Sequence, residues 1–447
     1  MRTLFPFAFF LVLVGPLGAA SLLAGSAPSF TAARSYATGR TPTSVAIGDL
    51  NGDGKPDLAI ANGRLDAAAG AVSVHFNKGD GSFRSRRDFV TGGNPETVAI
   101  GDLNGDGNSD LATSNGEAST VSVLLNRGDG SFQAKRDCAT GSEPFSVAIG
   151  DLNRDGSPDL ATANGGASTV SVLLNSGGGS FRARVDYRTG HRPSSVAIAD
   201  LNGDGRPDLV TANGEDSADS VSVLANNGVG GFRARVDYPT GSSPVDVAIG
   251  DLNGDGKPDL ATANLSANTA SVLLNRGNGS FRARRDYATG RRPTSVAIGE
   301  LNGDGKPELA ITNSDQTSAV SVVTNRGDGS FEAKLDYRTG RFPISVAIGD
   351  LNRDGRSDFA TANLAVASVS VLLNKPGLCT VQNVRQKTLQ TTRRRIARAN
   401  CRVGRIRRAY SSFVRRGRVI SQEPRFGTVL PGAGKVNLVL SRGRRPS

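Results

Sequence analysis

The chain contains little of the chemistry on which most enzyme active sites depend. It has two histidines, three cysteines, one methionine and no tryptophan. Catalysis needs a tuned acid, base or nucleophile, and neither His75 nor His191 belongs to a recognisable triad or transition-metal cluster. We therefore expect no catalytic residue and interpret both histidines as surface residues.

Long apolar runs are also absent after the first residues. Met1-Arg-Thr precedes an apolar run from Leu4 to Leu17, and small residues follow up to Ala27. This order is typical of a secretory signal peptide, which we assign to residues 1–27, with an uncleaved anchor as the alternative. The sequence thus predicts a secreted or bacterial cell-surface protein without a transmembrane segment after cleavage.

One acidic loop occurs seven times in the chain. Each copy places side-chain oxygens at loop positions 1, 3, 5 and 9 and glycine at position 6. Several oxygens on a tightly curled chain are what a calcium ion needs, and glycine takes the left-handed backbone of such a curl without steric cost. The predicted ligands of up to seven structural Ca²⁺ ions are Asp49, Asn51, Asp53 and Asp57; Asp102, Asn104, Asp106 and Asp110; Asp151, Asn153, Asp155 and Asp159; Asp200, Asn202, Asp204 and Asp208; Asp251, Asn253, Asp255 and Asp259; Glu300, Asn302, Asp304 and Glu308; and Asp350, Asn352, Asp354 and Asp358.

The acidic loop has two alternative interpretations. Asp-Gly and Asn-Gly also form simple turns, but seven copies with oxygen at every required position favour metal ligation. An EF-hand is excluded because position 12, for example Ile60 or Thr113, is never glutamate. Loop six differs from the others, since Glu300 and Glu308 add a methylene each at positions 1 and 9 and would crowd an ion.

The loops recur every 49 to 53 residues, a period typical of propellers and solenoids. Each repeat holds four short runs rich in β-branched residues, which predicts an all-β, seven-bladed propeller over residues 28–374. A run from phenylalanine to tyrosine precedes the first loop, at Phe30 to Tyr36, and none follows the last blade. We expect the N-terminal run to complete the last blade and close the ring.

Charge separates the C-terminal region from the repeats. Residues 375–447 hold 16 Arg, 3 Lys and one acid, Glu423, so their net charge is +18. The rest of the chain has a net charge of −6, which gives +12 overall. A helix from Thr388 to Ala399 and several strands are predicted there, which makes a small α+β domain over residues 375–443 followed by a basic tail at 444–447. Anionic polymers are candidate partners, with a solvated basic surface as the alternative; nucleic acid is disfavoured by the export signal and by aromatics too few for base stacking.

The repeat unit, a strand followed by Asp-x-Asn-x-Asp-Gly-x-x-Asp and a second strand, resembles the FG-GAP or VCBS-type repeat of integrin α-chain propellers. The resemblance implies one calcium ion at each loop. The segment Val419-Ile-Ser-Gln-Glu-Pro424 and the strand Lys435 to Ser441 resemble a PASTA domain, which implies contact with peptidoglycan. Gln382 and Gln386 stand where that family usually has proline and glycine.

Export permits disulfides. Cys379 and Cys401 both lie in the small terminal domain and are predicted to be bonded, whereas Cys138 replaces a tyrosine of the repeat and is predicted to be unpaired.

The leading hypothesis is a secreted or envelope-associated, non-catalytic binding or adhesion protein for an unidentified protein or glycan. Its basic PASTA-like module would contact the cell wall. The alternative is a calcium-dependent carbohydrate-active enzyme, a polysaccharide lyase or hydrolase, on a propeller scaffold. Two Arg-Gly-Asp tripeptides, at Arg127 and Arg326, lie in a turn that every repeat varies, and we interpret them as hairpin turns.

Overall fold

A computed structural model describes residues 27–66, 69–214, 219–375, 379–399, 401–430 and 434–445. The predicted signal peptide therefore lies outside the described residues, apart from Ala27. None of the helices in the described part of the chain is long and apolar enough to cross a membrane.

The repeats form seven four-stranded antiparallel sheets, numbered here in chain order. Sheets 1 to 3 consist of Arg40–Gly48, Asp57–Asp66, Ala69–His75 and Arg87–Val90; of Pro95–Gly101, Asp110–Asn115, Thr120–Leu124 and Arg136–Ala139; and of Pro144–Gly150, Asp159–Asn164, Thr169–Leu173 and Val185–Arg188. Sheets 4 and 5 consist of Pro193–Ala199, Asp208–Asn213, Ser220–Leu224 and Val236–Pro239; and of Pro244–Gly250, Asp259–Asn264, Thr269–Leu273 and Arg285–Ala288. Sheets 6 and 7 consist of Pro293–Gly299, Glu308–Asn313, Ala319–Val323 and Leu335–Arg338; and of Pro343–Gly349, Asp358–Asn363, Ser368–Leu372 and Arg34–Ala37.

The strand Arg34–Ala37 comes from the N-terminus yet pairs antiparallel with Ser368–Val371 of sheet 7, the place at which the sequence predicts it. Ser29–Phe30 also pairs with Asn374–Lys375. The predicted outer run is shorter than expected in every sheet. Its phenylalanine forms an isolated bridge to the asparagine after the third strand, as Phe83 does to Asn77, and the strand begins only four residues later.

Burial follows the position of a strand in its sheet. The second strand is buried along its whole length in sheets 2 to 7, and the outer strand is largely exposed. Because both faces of the second and third strands pack against neighbouring sheets, these strands are rich in Leu, Val and Ala. The sheets thus pack face to face in a propeller-like arrangement.

Small residues on the inner strands allow neighbouring sheets to approach each other closely. A Cβ added at Gly48 would lie 3.0 Å from Ile100 of sheet 2, and one at Gly349 would lie 3.1 Å from Ile47 of sheet 1. The second contact joins the last sheet to the first. This explains the small residues that the sequence places in the inner run.

The C-terminal domain has its own core and topology. Its strands are Cys379–Thr380, Arg402–Ala409, Val419–Glu423, Val429–Leu430 and Lys435–Ser441, and its helix is Leu389–Arg398, within the predicted range. Lys435–Ser441 lies between the other two long strands, parallel to Arg402–Ala409 and antiparallel to Val419–Glu423. Ile396 of the helix packs on Val436 and Leu438 of this sheet.

Candidate metal centres

Each acidic loop joins the inner strand of a sheet to its second strand. The side chains become more buried toward the second strand. In loop one Asp53 is exposed, Asp49 is half-buried, and Asp57 is fully buried. The position-9 carboxyl therefore forms the floor of the loop, while positions 1, 3 and 5 form its rim.

Backbone amides hold the rim side chains in place. Asp49 Oδ2 accepts a hydrogen bond of 2.8 Å from Gly54 N, Asn51 Oδ1 accepts one of 3.0 Å from Asp53 N, and Asp53 Oδ1 accepts one of 3.0 Å from Lys55 N. The glycine of position 6 has a φ of +73° in this loop, in the left-handed region that the sequence predicts. These bonds curl the loop and fix three oxygen-bearing side chains against its own backbone.

The position-9 carboxyl accepts one backbone amide on each oxygen. Leu50 N donates to Asp57 Oδ2 at 3.0 Å, and Asn77 N donates to Asp57 Oδ1 at 2.7 Å. Burial, aided by the charges of Asp53 and Asp49, nonetheless raises the pKa of Asp57 to about 6 against the lowering effect of the two amides. Three carboxylates thus repel one another around each loop, which a bound cation would relieve.

The equivalent carboxyls behave in the same way. Burial raises their pKa values: to about 6 in Asp110, Asp159 and Asp259, to about 7 in Asp358, to about 8 in Glu308, and upward in Asp208.

An asparagine that the sequence analysis missed links each loop to the preceding repeat. The side-chain amide of Asn126 donates to Ser109 O in its own loop at 2.8 Å and to Leu50 O, position 2 of loop one, also at 2.8 Å. Its backbone amide holds the position-9 carboxyl Asp110. The same bond to a preceding loop is made by Asn77, Asn175, Asn226, Asn275, Asn325 and Asn374. Asn77 bonds to Leu351 O, so this series of contacts also joins sheet 1 to sheet 7.

A second series of contacts runs along the inner strands. Backbone amides donate to a side-chain oxygen in the preceding sheet, as Val98 N does to Ser44 Oγ at 3.4 Å and Val45 N does to Ser345 Oγ at 3.2 Å. In sheet 5 this oxygen belongs to Asp246, which accepts from Val296 N at 2.9 Å and from Ser195 Oγ at 2.8 Å. Burial raises the pKa of Asp246. The sequence signal was an acid at a position occupied by Ser or Thr in the other repeats.

Five loops carry a cation of their own at position 7. It lies beside the position-5 carboxylate, most closely in Lys55–Asp53 at 2.8 Å and Arg356–Asp354 at 2.7 Å. Loops two and three have Asn108 and Ser157 there instead. In five loops a metal ion would replace part of the charge compensation that the position-7 cation gives. In loops two and three it would supply the compensation that position 7 does not give.

Loop six is built differently, as the sequence predicts. Glu300 accepts from the amides of Asn302 and Gly303, whereas the position-1 aspartate of each other loop accepts from the glycine at position 6. Asn302 Nδ2 donates to Glu308 at 3.0 Å, and the bond from Asn325 N to Glu308 lengthens to 3.5 Å. The two added methylenes therefore shift both carboxylates within the loop.

Position 4 is glycine in five loops and arginine in two. Arg154 and Arg353 adopt left-handed backbone with φ of +64° and +59°. This conformation is unfavourable for any residue with a Cβ. The curl of the loop is thus retained in loops three and seven at a conformational cost.

The donor set fits calcium rather than a transition metal, because it consists of carboxylate and amide oxygens without histidine or cysteine. Within the described ranges, no group of three or more His, Cys, Asp and Glu side chains is already gathered as metal ligands. The carboxylates are turned onto backbone amides, and the calcium assignment stays a prediction.

The two histidines lie apart, and one was placed wrongly. His75 is 2% exposed at the end of the third strand of sheet 1, so its interpretation as a surface residue is wrong; it pairs with Leu58 as Leu124 pairs with Leu111 in sheet 2, and so takes the place of a core leucine. His191 is exposed in the connection between sheets 3 and 4. Cys138 is a free thiol, as predicted. The side chain of Cys379 lies outside the described residues, so its bond to Cys401 stays a prediction.

Family comparison agrees with this geometry. The FG-GAP-like repeat matches residues 61–113, 102–162, 152–211, 200–262, 251–311 and 300–361, and a further FG-GAP repeat matches residues 41–75. The chain belongs to the FG-GAP-like repeat family. A PASTA domain matches residues 380–442 of this FG-GAP-like protein, which confirms both resemblances. No curated protein matches the chain.

Solved structures share the fold of this FG-GAP-like protein. BBS1N in complex with ARL6DN matches with a TM-score of 0.55 and 11% identity, over 77% of this chain and 96% of that one. Virginiamycin B lyase from Staphylococcus aureus matches with a TM-score of 0.54 and 12% identity, over 77% and 99%. A functionally unknown protein from Desulfotomaculum acetoxidans matches with a TM-score of 0.50 and 12% identity, over 67% and 88%. Identities this low establish similarity of fold alone.

Proposed function

We propose that this protein is a calcium-stabilised, non-catalytic binding protein of the cell envelope, built on a closed ring of seven blades. The observation that carries the proposal is the acidic loop, repeated seven times on one side of the ring with a buried carboxyl at its floor. A repeated, identically placed charge cluster is a structural device, whereas an active site would be expected once.

The contacts between the first and last repeats support ring closure. Val45 N donates to Ser345 Oγ at 3.2 Å, Asn77 Nδ2 donates to Leu351 O at 2.8 Å, and the Tyr36 ring packs on Phe83 at 5.3 Å between centroids. Each is the same contact that consecutive sheets make elsewhere in the chain. The seventh blade is therefore proposed to follow the same geometry as the other six.

The face opposite the acidic loops is the better candidate for a partner. It carries the connections between second and third strands, which vary among repeats: Gly116-Glu-Ala-Ser119 in sheet 2 and Leu265-Ser-Ala-Asn268 in sheet 5. In sheet 7 this connection is a 3-10 helix that exposes Leu364 and Val366. A metal site needs the same residues in every repeat, whereas recognition needs differences.

The PASTA domain supports a place at the cell envelope, because modules of this family are related to peptidoglycan binding. The predicted signal peptide agrees with this location. The Cys379–Cys401 bond belongs to the same proposal, since both cysteines lie in the small terminal domain and export permits disulfides. Mass measurement before and after reduction checks it, and three free thiols would reject it.

Binding of cell-wall fragments and glycans, with calcium and with EDTA, tests the proposed function. Calcium-dependent retention of a defined wall polymer or glycan supports it, with Asp57→Asn as the loop variant and Asp80→Asn, in an exposed turn, as the control. Absence of binding to wall polymers, glycans and envelope proteins under both conditions would contradict it. Turnover of an acidic polysaccharide would replace it by the enzymatic alternative, which the fold of a lyase at 12% identity does not itself support.

A further inference from the structure

One end of the PASTA domain combines exposed aromatic rings with dense positive charge. Arg402–Ala409 and Lys435–Ser441 run parallel and end there together. We define the Phe413 tip as residues 408–418 and 442–445. It carries seven arginines, of which six are exposed: Arg408, Arg415, Arg416, Arg418, Arg442, Arg444 and Arg445, with Arg418 the half-buried one.

Phe413 is the most exposed large apolar side chain of the described residues, at 95%. A phenylalanine so fully in water forgoes the stabilisation that burial of its ring would give. Tyr410, 47% exposed, lies at the same end, with the Arg442 guanidinium 5.7 Å from its ring centre. The tip thus offers apolar surface inside a positive field.

The exposure of Phe413 is built into the domain. Ser411 Oγ accepts hydrogen bonds from Phe413 N at 3.2 Å and Val414 N at 3.0 Å, which turns the chain at the tip. Ser411 N donates to Gly443 O at 2.9 Å, and Ser441 Oγ donates to Val414 O at 2.6 Å. Both sides of the turn are therefore anchored to the end of the last strand, and Phe413 is held outward.

No nearby carboxylate neutralises the tip. Glu423 is the only acidic residue of residues 375–447, and it pairs with Asn437, whereas Val419, which follows the tip, pairs with Leu440. Glu423 thus lies at the far end of its strand. Among the described residues, no ion pair joins a carboxylate of the repeats to an arginine of the tip.

We propose that the Phe413 tip binds the surface of an anionic phospholipid bilayer, with Phe413 inserted between the headgroups and the arginines on the lipid phosphates. Charge alone would also fit a soluble polyanion. The apolar side chain decides between the two, because a polyanion in water offers it no apolar environment, whereas a bilayer interface accepts an aromatic ring and attracts cations. The proposal does not depend on calcium or on the ligand of the repeats.

The test uses the full chain and sedimentation with vesicles of phosphatidylcholine, alone or mixed with phosphatidylglycerol. The protein should bind the mixed vesicles and not the neutral ones. Phe413→Ala should weaken this binding about tenfold, as expected for loss of one buried aromatic side chain. Phe426→Ala is the matched control, because Phe426 is 64% exposed at the other end of the Val419–Glu423 strand, and it should bind like the unmodified chain.

The absence of tryptophan from the chain gives a second readout. Phe413→Trp introduces a single indole whose emission should shift to shorter wavelength on the mixed vesicles, while Phe426→Trp should not respond. Poly(glycerol phosphate) in place of vesicles should leave both emissions unchanged. Equal binding of the Phe413→Ala variant and the unmodified chain to vesicles, or a Phe413→Trp shift with the soluble polymer alone, would overturn the proposal in favour of a polyanion site.

Discussion

The repeats and the PASTA domain use charge in opposite ways. In each acidic loop of the repeats, carboxylates accept backbone amides and the position-9 carboxyl is fully buried beneath an accessible rim. The PASTA domain turns its arginines outward and packs a core of valine, leucine and isoleucine without them. The loop charges of the repeats are thus part of what holds each loop in shape, whereas most arginines of the PASTA domain lie at its surface.

Removal of calcium should produce the largest difference in stability between the repeats and the PASTA domain. EDTA should destabilise the repeats by about 1.4 kcal/mol per site for a free calcium concentration tenfold above the dissociation constant, and calcium should restore them. The PASTA domain should be unaffected, because its single acid cannot form a site. Calorimetry in calcium and in EDTA separates the two transitions, since only that of the repeats should shift; equal sensitivity of both would refute the contrast.

A single loop variant should show how much of this effect one buried carboxyl carries. Asp57→Asn should lower the free energy of unfolding in calcium by about 2 kcal/mol, because the amide cannot satisfy both backbone donors and no longer attracts the ion. Asp53→Asn at the exposed rim should cost less. Urea unfolding in calcium measures both, and a larger loss for Asp53→Asn would contradict the burial gradient.

In the metal-free protein, pH should act on the repeats with a defined sign. Burial raises the pKa of the position-9 carboxyls to about 6 in Asp57 and about 7 in Asp358, above the ordinary value of 3.8. The folded state therefore holds these protons more tightly than the unfolded state. The stabilising contribution is complete below pH 3.8 and is lost as pH rises through about 6 to 7.

Melting temperatures in EDTA should accordingly fall between about pH 4 and 7 if other groups contribute evenly. Added calcium should stabilise more at pH 7 than at pH 5, since it binds the charged carboxylates. A calcium effect that grows on acidification would be incompatible with this assignment.

The smallest expected effect concerns the strained loops. Arg154→Gly should raise the free energy of unfolding by about 1 kcal/mol, because glycine adopts the left-handed conformation at +64° without a Cβ clash. Gly203→Arg, at the same position of loop four, should lower it by a similar amount. Urea unfolding of the two variants measures both changes, and a loss of stability in Arg154→Gly would show that the side chain of Arg154 has a stabilising role.

Much of the fold could be predicted from the sequence because each repeat contains the same pattern of strands, turns and one acidic loop. Strand order, the loop and the N-terminal strand followed from local alternation and counting. The contacts between repeats were not visible. Asn126 bonds to Leu50, 76 residues earlier, and nothing in a local pattern distinguishes such an asparagine from an ordinary turn residue. Its recurrence at the same place in each repeat was the available signal.

The environments of two polar side chains could also not be predicted from the sequence. His75 takes the place that Leu124 has in sheet 2 and is buried there, and the Asp246 carboxyl is enclosed between Val296 of sheet 6 and Ser195 of sheet 4. Burial by a neighbour depends on register between repeats, which periodicity alone does not give. The tip of the PASTA domain was seen only as charge, since the exposure of Phe413 results from bonds to Gly443 and Ser441 that lie far along the chain.

The most direct measurement of the central claim is the calcium content of the purified, undenatured protein. Elemental analysis after dialysis against calcium at about 1 mM, in the range of extracellular modules, should find six or seven ions per chain according to whether loop six is filled, and Glu300→Asp with Glu308→Asp should fill it. A protein that retains no divalent metal under these conditions and melts at the same temperature in EDTA would contradict the account.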